Sequence, residues 1–128
     1  MAMRSAQEMK MHDTIIKSLE HIYRDQRGAT TVLTNLKGEE AVVKGVVLDL
    51  IVKNPFLMHI KVETESTVNE GSAIAWKQIS DTIGTFWLMV PEPLRAEAVR
   101  IIKKKTIKNV RMCAYKVVEN KLKFINIP

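Results

Sequence analysis

The segment Gly45-Val-Val-Leu-Asp49-Leu-Ile-Val-Lys53-Asn-Pro55-Phe-Leu-Met-His59-Ile-Lys61-Val-Glu63-Thr-Glu65 sets one acid inside an apolar run and follows it with a charged alternation. It reads as a hairpin, two strands broken at Asn54-Pro55. Asp49 stands where the surrounding pattern asks for a hydrophobic residue. Lys61, Glu63 and Glu65 recur at period two and so project from one face of the second strand. A carboxylate buried without a partner is costly, so Asp49 needs a hydrogen-bond donor, a cation or the open mouth of a cleft. Two readings of the second strand stay open: a cluster able to hold a metal ion, or an ordinary half-exposed strand.

The parity of the connection decides whether those side chains meet. With an even loop, such as Asn54-Pro55 alone, Asp49 lies opposite Ile60 and faces away from Lys61 and Glu63. With an odd loop, such as Asn54-Pro-Phe56, or with a β-bulge, Asp49 and Lys61 become cross-strand neighbours and Glu63 joins their face.

Upstream, residues 1–11 read as a frayed lead-in. From about His12 to Arg24 the residues Ile15, Ile16, Leu19, Ile22 and Tyr23 form one helical stripe, with Asp13 as N-cap and Gly28 beyond the end. Thr30 to Asn35 reads as a short strand, Lys37-Gly-Glu-Glu40 as a turn and Ala41 to Val52 as one long strand. Downstream, Ser66 to Gly71 is a polar loop, and Ser72 to Ile83 a helix with Ile74, Ala75, Ile79 and Ile83 inward. Thr85 to Val90 is an apolar strand buried on both faces. Pro91-Glu-Pro93 stops it, and Leu94 to about Lys104 is a helix with Leu94, Ala98, Ile101 and Ile102 inward. Val110 to Val118 and Leu122 to Ile127 finish the chain as strands joined by a Glu119-Asn-Lys turn. Hairpins come first and crossovers later, which predicts an α/β domain with a mixed sheet and flanking helices.

The 128 residues fit one domain, with 46% hydrophobic and 27% charged residues. No apolar run approaches the roughly 20 residues that span a bilayer, and the start carries no hydrophobic signal region, so a cytoplasmic protein with no membrane contact is expected. The single cysteine, Cys113, excludes an internal disulfide and a cysteine-cluster zinc site, and reads as a buried structural thiol. A net charge of +6 makes polyanions plausible partners. Arg100, Lys103, Lys104, Lys105, Lys108 and Arg111 carry much of it, with further lysines at 116, 121 and 123. Such a run also suits a solvated helix end. His12, His21 and His59 lack metal-like spacing, and no glycine-rich phosphate loop occurs.

The order helix, three strands, helix, strand, helix resembles the PD-(D/E)XK nucleases of the restriction-endonuclease-like superfamily, in particular the small archaeal Holliday-junction-resolvase type. The words that carry it are Asp49 in the second meander strand, Lys61-Val-Glu63 or Glu63-Thr-Glu65 in the third, Trp76-Lys77-Gln78 on the next helix and Phe86-Trp-Leu-Met-Val-Pro91 after it. The match departs from the family in two places. Leu48 replaces a proline. In the acid-any-lysine triplet, either Glu65 stands for the lysine or the acid and lysine have changed places.

The resemblance implies a nucleic-acid-binding protein that hydrolyses phosphodiesters with Mg2+ or Mn2+. Asp49 and Glu63 would be the metal ligands, Lys61 or Lys77 the cation that steadies the phosphate, and Glu20, Glu65 and Gln78 further candidates. DNA is expected as the partner rather than RNA, and a homodimer as the assembly. The exchanged triplet favours the alternative, a nuclease-fold module that binds nucleic acid or protein without cutting.

Overall fold

In the computed structural model, residues 4–38 and 40–127 are described. They form α1 (Ala6–His21), which runs on into a π-helical turn (Ile22–Gln26), then β1 (Thr31–Thr34), β2 (Val42–Val43), β3 (Val46–Val47), β4 (Leu50–Lys53) and β5 (Met58–Val62). A 3-10 turn (Glu65–Thr67), α2 (Ala73–Ile83), β6 (Phe86–Pro91), a second 3-10 turn (Glu92–Leu94), α3 (Arg95–Lys104), β7 (Val110–Val118) and β8 (Lys121–Ile125) follow.

Six strands make one mixed sheet in the order β1-β4-β5-β6-β7-β8. The first three pair antiparallel, β4 and β5 through their hairpin and β1 with β4 across the β2–β3 segment, while β5, β6 and β7 run parallel because α2 and α3 carry the chain back between them. The final β7–β8 pair is antiparallel. Helix α1 covers one face, where Ile15, Ile16, Leu19 and Tyr23 pack on Leu50, Val52, Ile60, Val62 and Met89. Helices α2 and α3 cover the other, where Trp76, Ile79, Ala98 and Ile101 pack on Ile51, Phe86, Leu88 and Val90. Strand β6 therefore contributes to both cores, as its unbroken apolar run predicts. Each large apolar side chain so buried contributes about 1.5–3 kcal/mol of transfer free energy.

Several boundaries differ from the sequence expectation. Helix α1 starts at Ala6, because Ser5 caps it by accepting from the Glu8 N–H at 3.1 Å; Asp13 lies inside the helix and only residues 1–3 of the supposed lead-in fall outside the described chain. The expected long strand from Ala41 to Val52 is folded back on itself. Lys44 and Gly45 both take positive φ (51° and 78°), the conformation of a type I′ turn, and pair Val42 with Val47 as a separate two-stranded ribbon. In α2 the buried residues are Ala73, Trp76, Ile79 and Ser80; Ile79 is inward and Ile83 packs against the core as expected, but Ala73 and Trp76 replace Ile74 and Ala75, which are exposed, Ile74 to 77%. Among the described residues, no helix is long and apolar enough to cross a membrane.

Candidate functional site

Asp49 enters β4, and the β4–β5 register pairs Leu50 with Ile60, Ile51 with His59 and Val52 with Met58. Five residues, 53 to 57, connect Val52 to Met58. The connection is odd, which is the parity that brings Asp49 across from Lys61. The Asp49 N–H donates to the Ile60 carbonyl at 3.0 Å, and Lys61 Nζ lies 3.6 Å from Asp49 Oδ2. The same oxygen accepts from the Val62 N–H at 2.7 Å. Asp49 Oδ1 is held by His12 Nε2 at 3.1 Å, and the other ring nitrogen of His12 lies 3.4 Å from Asp13. Burial pushes the Asp49 carboxyl upward, but the His12 hydrogen bond, the Lys61 charge and the Val62 N–H together outweigh it and hold the group below its ordinary value.

Glu63 follows the end of β5 and is fixed there by its N–H, which donates to the Met89 carbonyl at 2.8 Å, and by its own carbonyl, which accepts from the Tyr115 hydroxyl at 3.0 Å. Its side chain is only 3% exposed as a residue, yet fully partnered. Oε1 accepts from Arg4 Nη2 at 3.1 Å and from the Thr67 hydroxyl at 2.9 Å, and Oε2 accepts from the Trp76 indole N–H at 2.6 Å. Burial is the strongest influence on this carboxyl and raises it above the usual value despite Lys61, Trp76, Thr67 and Arg4. Arg4 is itself anchored, donating from Nε to Thr64 Oγ1 at 2.8 Å and from Nη2 to the Val62 carbonyl at 3.1 Å.

Lys61 and Glu63 open onto a cleft of about 540 Å³ whose walls include Arg4, Met9, Ile74 and Gln78. Two buried carboxylates thus meet two basic side chains of the same chain, Lys61 and Arg4. All four carboxylate oxygens already take a protein donor. Among the described residues, no three histidine, cysteine, aspartate or glutamate side chains converge as metal ligands. A magnesium ion is commonly held by one or two carboxylates, with water and substrate oxygens completing its octahedral shell. As arranged, a divalent ion at Asp49 and Glu63 would have to displace the protein donors and cations that now engage these oxygens.

The other candidates lie apart. Lys77 pairs with Asp81 at 4.0 Å on the exposed side of α2, while Gln78 lines the cleft. Strand β5 ends at Val62, so Glu65 leaves the alternation, opens the 3-10 turn and borders a different cavity beside Pro91 and Tyr115. Glu20 pairs with Arg24 at 3.4 Å and lies beside Thr34 and Leu36, away from Asp49. His59 is half-buried, and burial followed by the Lys53 charge keeps its ring below its ordinary pKa. Cys113 is buried as expected, and burial pushes its thiol up to about 12.

The basic cluster is split. Glu70 draws in Lys104 at 2.9 Å, Lys105 at 3.4 Å and Arg100 at 3.8 Å, and Glu97 also bonds Arg100. Lys103 and Lys108 have no carboxylate partner among the described residues, and Arg111 lies 5.9 Å from the Trp87 ring centre.

His12 and Arg4 are the partners that sequence reasoning did not anticipate. His12 did leave a signal: it shares the buried stripe of α1 with Ile15, Ile16 and Leu19, where an imidazole needs a polar partner. Arg4 left none, since its partners are about sixty residues away in sequence. The chain matches no model of a known protein family, and no curated protein resembles it at a significant level.

Proposed function

We propose that this chain is a nucleic-acid-binding module of restriction-endonuclease-like architecture whose acidic centre is closed by its own cations. The order of elements supports the architecture: a helix, an antiparallel three-strand unit, a helix, a parallel strand and a helix, with Asp49 and Glu63 at the β4–β5 hairpin. The observation that carries the binding function is the distribution of charge. The buried acids are neutralised internally by Lys61 and Arg4, whereas surplus cations such as Lys103, Lys108 and Arg111 have no carboxylate partner among the described residues, on a chain of net charge +6.

Unpaired cations bind phosphates by releasing condensed counterions, so affinity for duplex DNA falls with salt by a log-log slope of about −0.9 per contact. Fluorescence-anisotropy titrations in EDTA, at several salt concentrations and with single-stranded, duplex and branched DNA and RNA, test the reading. The expected result is steep salt dependence. No binding to any of these at low salt would remove it.

One observation favours a second reading, Mg2+- or Mn2+-dependent phosphodiester hydrolysis: Asp49 and Glu63 flank Lys61 at one end of the sheet, and Lys61 and Glu63 face an open cleft. Metal-dependent nicking that EDTA stops and that is lost in Asp49→Asn would establish it.

A further inference from the structure

The six-stranded sheet ends unevenly. Strand β6 stops at Pro91, opposite Tyr115, but β7 continues to Val118 before it turns through Glu119 and Asn120 into β8. Both turn residues have positive φ (52° and 63°), as a two-residue type I′ hairpin requires. Residues 116–118 and 121–123 therefore extend past β6 as a two-stranded arm, with β8 as the outer edge of the sheet.

The arm pairs Lys116 with Lys123, Val117 with Leu122 and Val118 with Lys121. Side chains alternate along each strand, so Lys116, Lys121 and Lys123 share one face of the arm with Val118, while Val117 and Leu122 share the other. All three lysines are exposed, and none has a carboxylate partner among the described residues. Like charges placed directly opposite one another destabilise an antiparallel pair. Lysines on β8 have a simple explanation, because edge strands use them to block pairing with other chains. Past Tyr115 strand β7 has lost its β6 neighbour and is an edge as well, so the explanation extends to Lys116, but blocking an edge does not require Lys116 to stand directly opposite Lys123, the lysine it repels. With Glu119 at the tip as the one acid of the arm, three positive charges stand against one negative.

We infer, resting on the nucleic-acid reading above, that this arm inserts its lysine face into the major groove of duplex DNA and contacts the phosphates that flank it. A two-stranded ribbon is an element that the groove, about 12 Å wide in B-form DNA, admits. The deep, narrow major groove of A-form RNA does not. The mutual repulsion of Lys116 and Lys123 is relieved when phosphates lie over them, which gives the bound state a contact the free protein lacks.

The test is the full chain carrying K116Q/K121Q/K123Q, titrated against a DNA duplex and an RNA duplex of the same sequence over a salt series in EDTA. Each phosphate-contacting lysine removed should reduce the salt slope by about one. On DNA the triple variant should bind more weakly and lose up to three units of slope, while K116R/K121R/K123R keeps both. A control triple, K17Q/K44Q/K53Q, removes the same charge elsewhere and should leave the slope near that of the wild type. Should the first triple aggregate through its neutralised edge, K116Q alone, which keeps both β8 lysines, should lose about one unit. Wild-type affinity and slope in the arm variants would overturn this inference and leave the binding function intact. An equal loss on the RNA duplex would overturn groove insertion. A wild-type protein that binds no duplex at low salt would overturn groove insertion, and one that binds none of single-stranded, duplex and branched DNA and RNA would overturn both readings together.

Discussion

Lys61 Nζ lies 3.6 Å from Asp49 Oδ2 across the β4–β5 hairpin, at the position where an acid-any-lysine triplet would begin with its acid. A cation of the protein therefore sits beside this buried carboxylate. The pair is largely withdrawn from water, and its worth differs from the cost of breaking it. Removing one partner of a buried pair strands the other charge, whereas removing both is often close to neutral.

Lys61→Met should therefore destabilise the protein more than Asp49→Asn combined with Lys61→Met. Urea unfolding of the two single variants and the double variant should give a coupling energy of about 0.5–3 kcal/mol. Simple additivity would show that the ion pair contributes nothing.

Trp76→Phe keeps an aromatic ring in the core under α2 but removes the indole N–H that donates to Glu63 Oε2 at 2.6 Å. Losing one donor to a buried acceptor should cost about 1–3 kcal/mol, more once Glu63 is ionised. Thermal melts at low and high pH should show the larger penalty at high pH. An equal penalty at both would mean that the loss is packing alone.

The two acids should move stability in opposite directions with pH. The folded value of Asp49 lies below its ordinary 3.8, so its contribution is complete above that value and is lost as the pH falls through the folded pKa. The folded value of Glu63 lies above its ordinary 4.5, so its contribution is complete below 4.5 and is lost as the pH rises through the folded pKa. Unfolding free energies measured from about pH 3 to pH 8 should rise and then decline, with Glu63→Gln removing part of the decline. A decline unchanged in that variant would assign it to other groups.

Magnesium, manganese and EDTA should leave the melting temperature of the wild-type chain unchanged. An ion present at about 100 times its Kd would add about 2.7 kcal/mol, a shift that calorimetry resolves. A rise with manganese that disappears in Asp49→Asn would instead favour the hydrolytic reading.

Much of the architecture was legible in the residues themselves. The helical stripe of Ile15, Ile16 and Leu19, the doubly buried run from Phe86 to Val90 and the breaks at Asn54-Pro55 and Pro91 are local patterns, and a local pattern reports the local conformation and the face that seeks a core. Asp49 was conspicuous for the same reason, as an acid at an apolar position. The sequence could also state the alternative that mattered, an even or an odd connection between Val52 and Met58, but both satisfy the hydrophobic pattern of the strands.

Only the tertiary structure chose between them, because register depends on how the whole hairpin packs between β1 and β6. It also placed His12 on Asp49 and Arg4 on Glu63, contacts across 37 and 59 residues of chain that no spacing rule encodes. Glu65 left the site because β5 ends where Thr64 and Thr67 cap a 3-10 turn, and Ile74 turned outward because Trp76 took the inner position of α2. The sequence determined which residues carry charge and which must be buried. The fold decided which charges meet, because the electrostatic partners of a buried acid are set by three-dimensional distance and not by position along the chain.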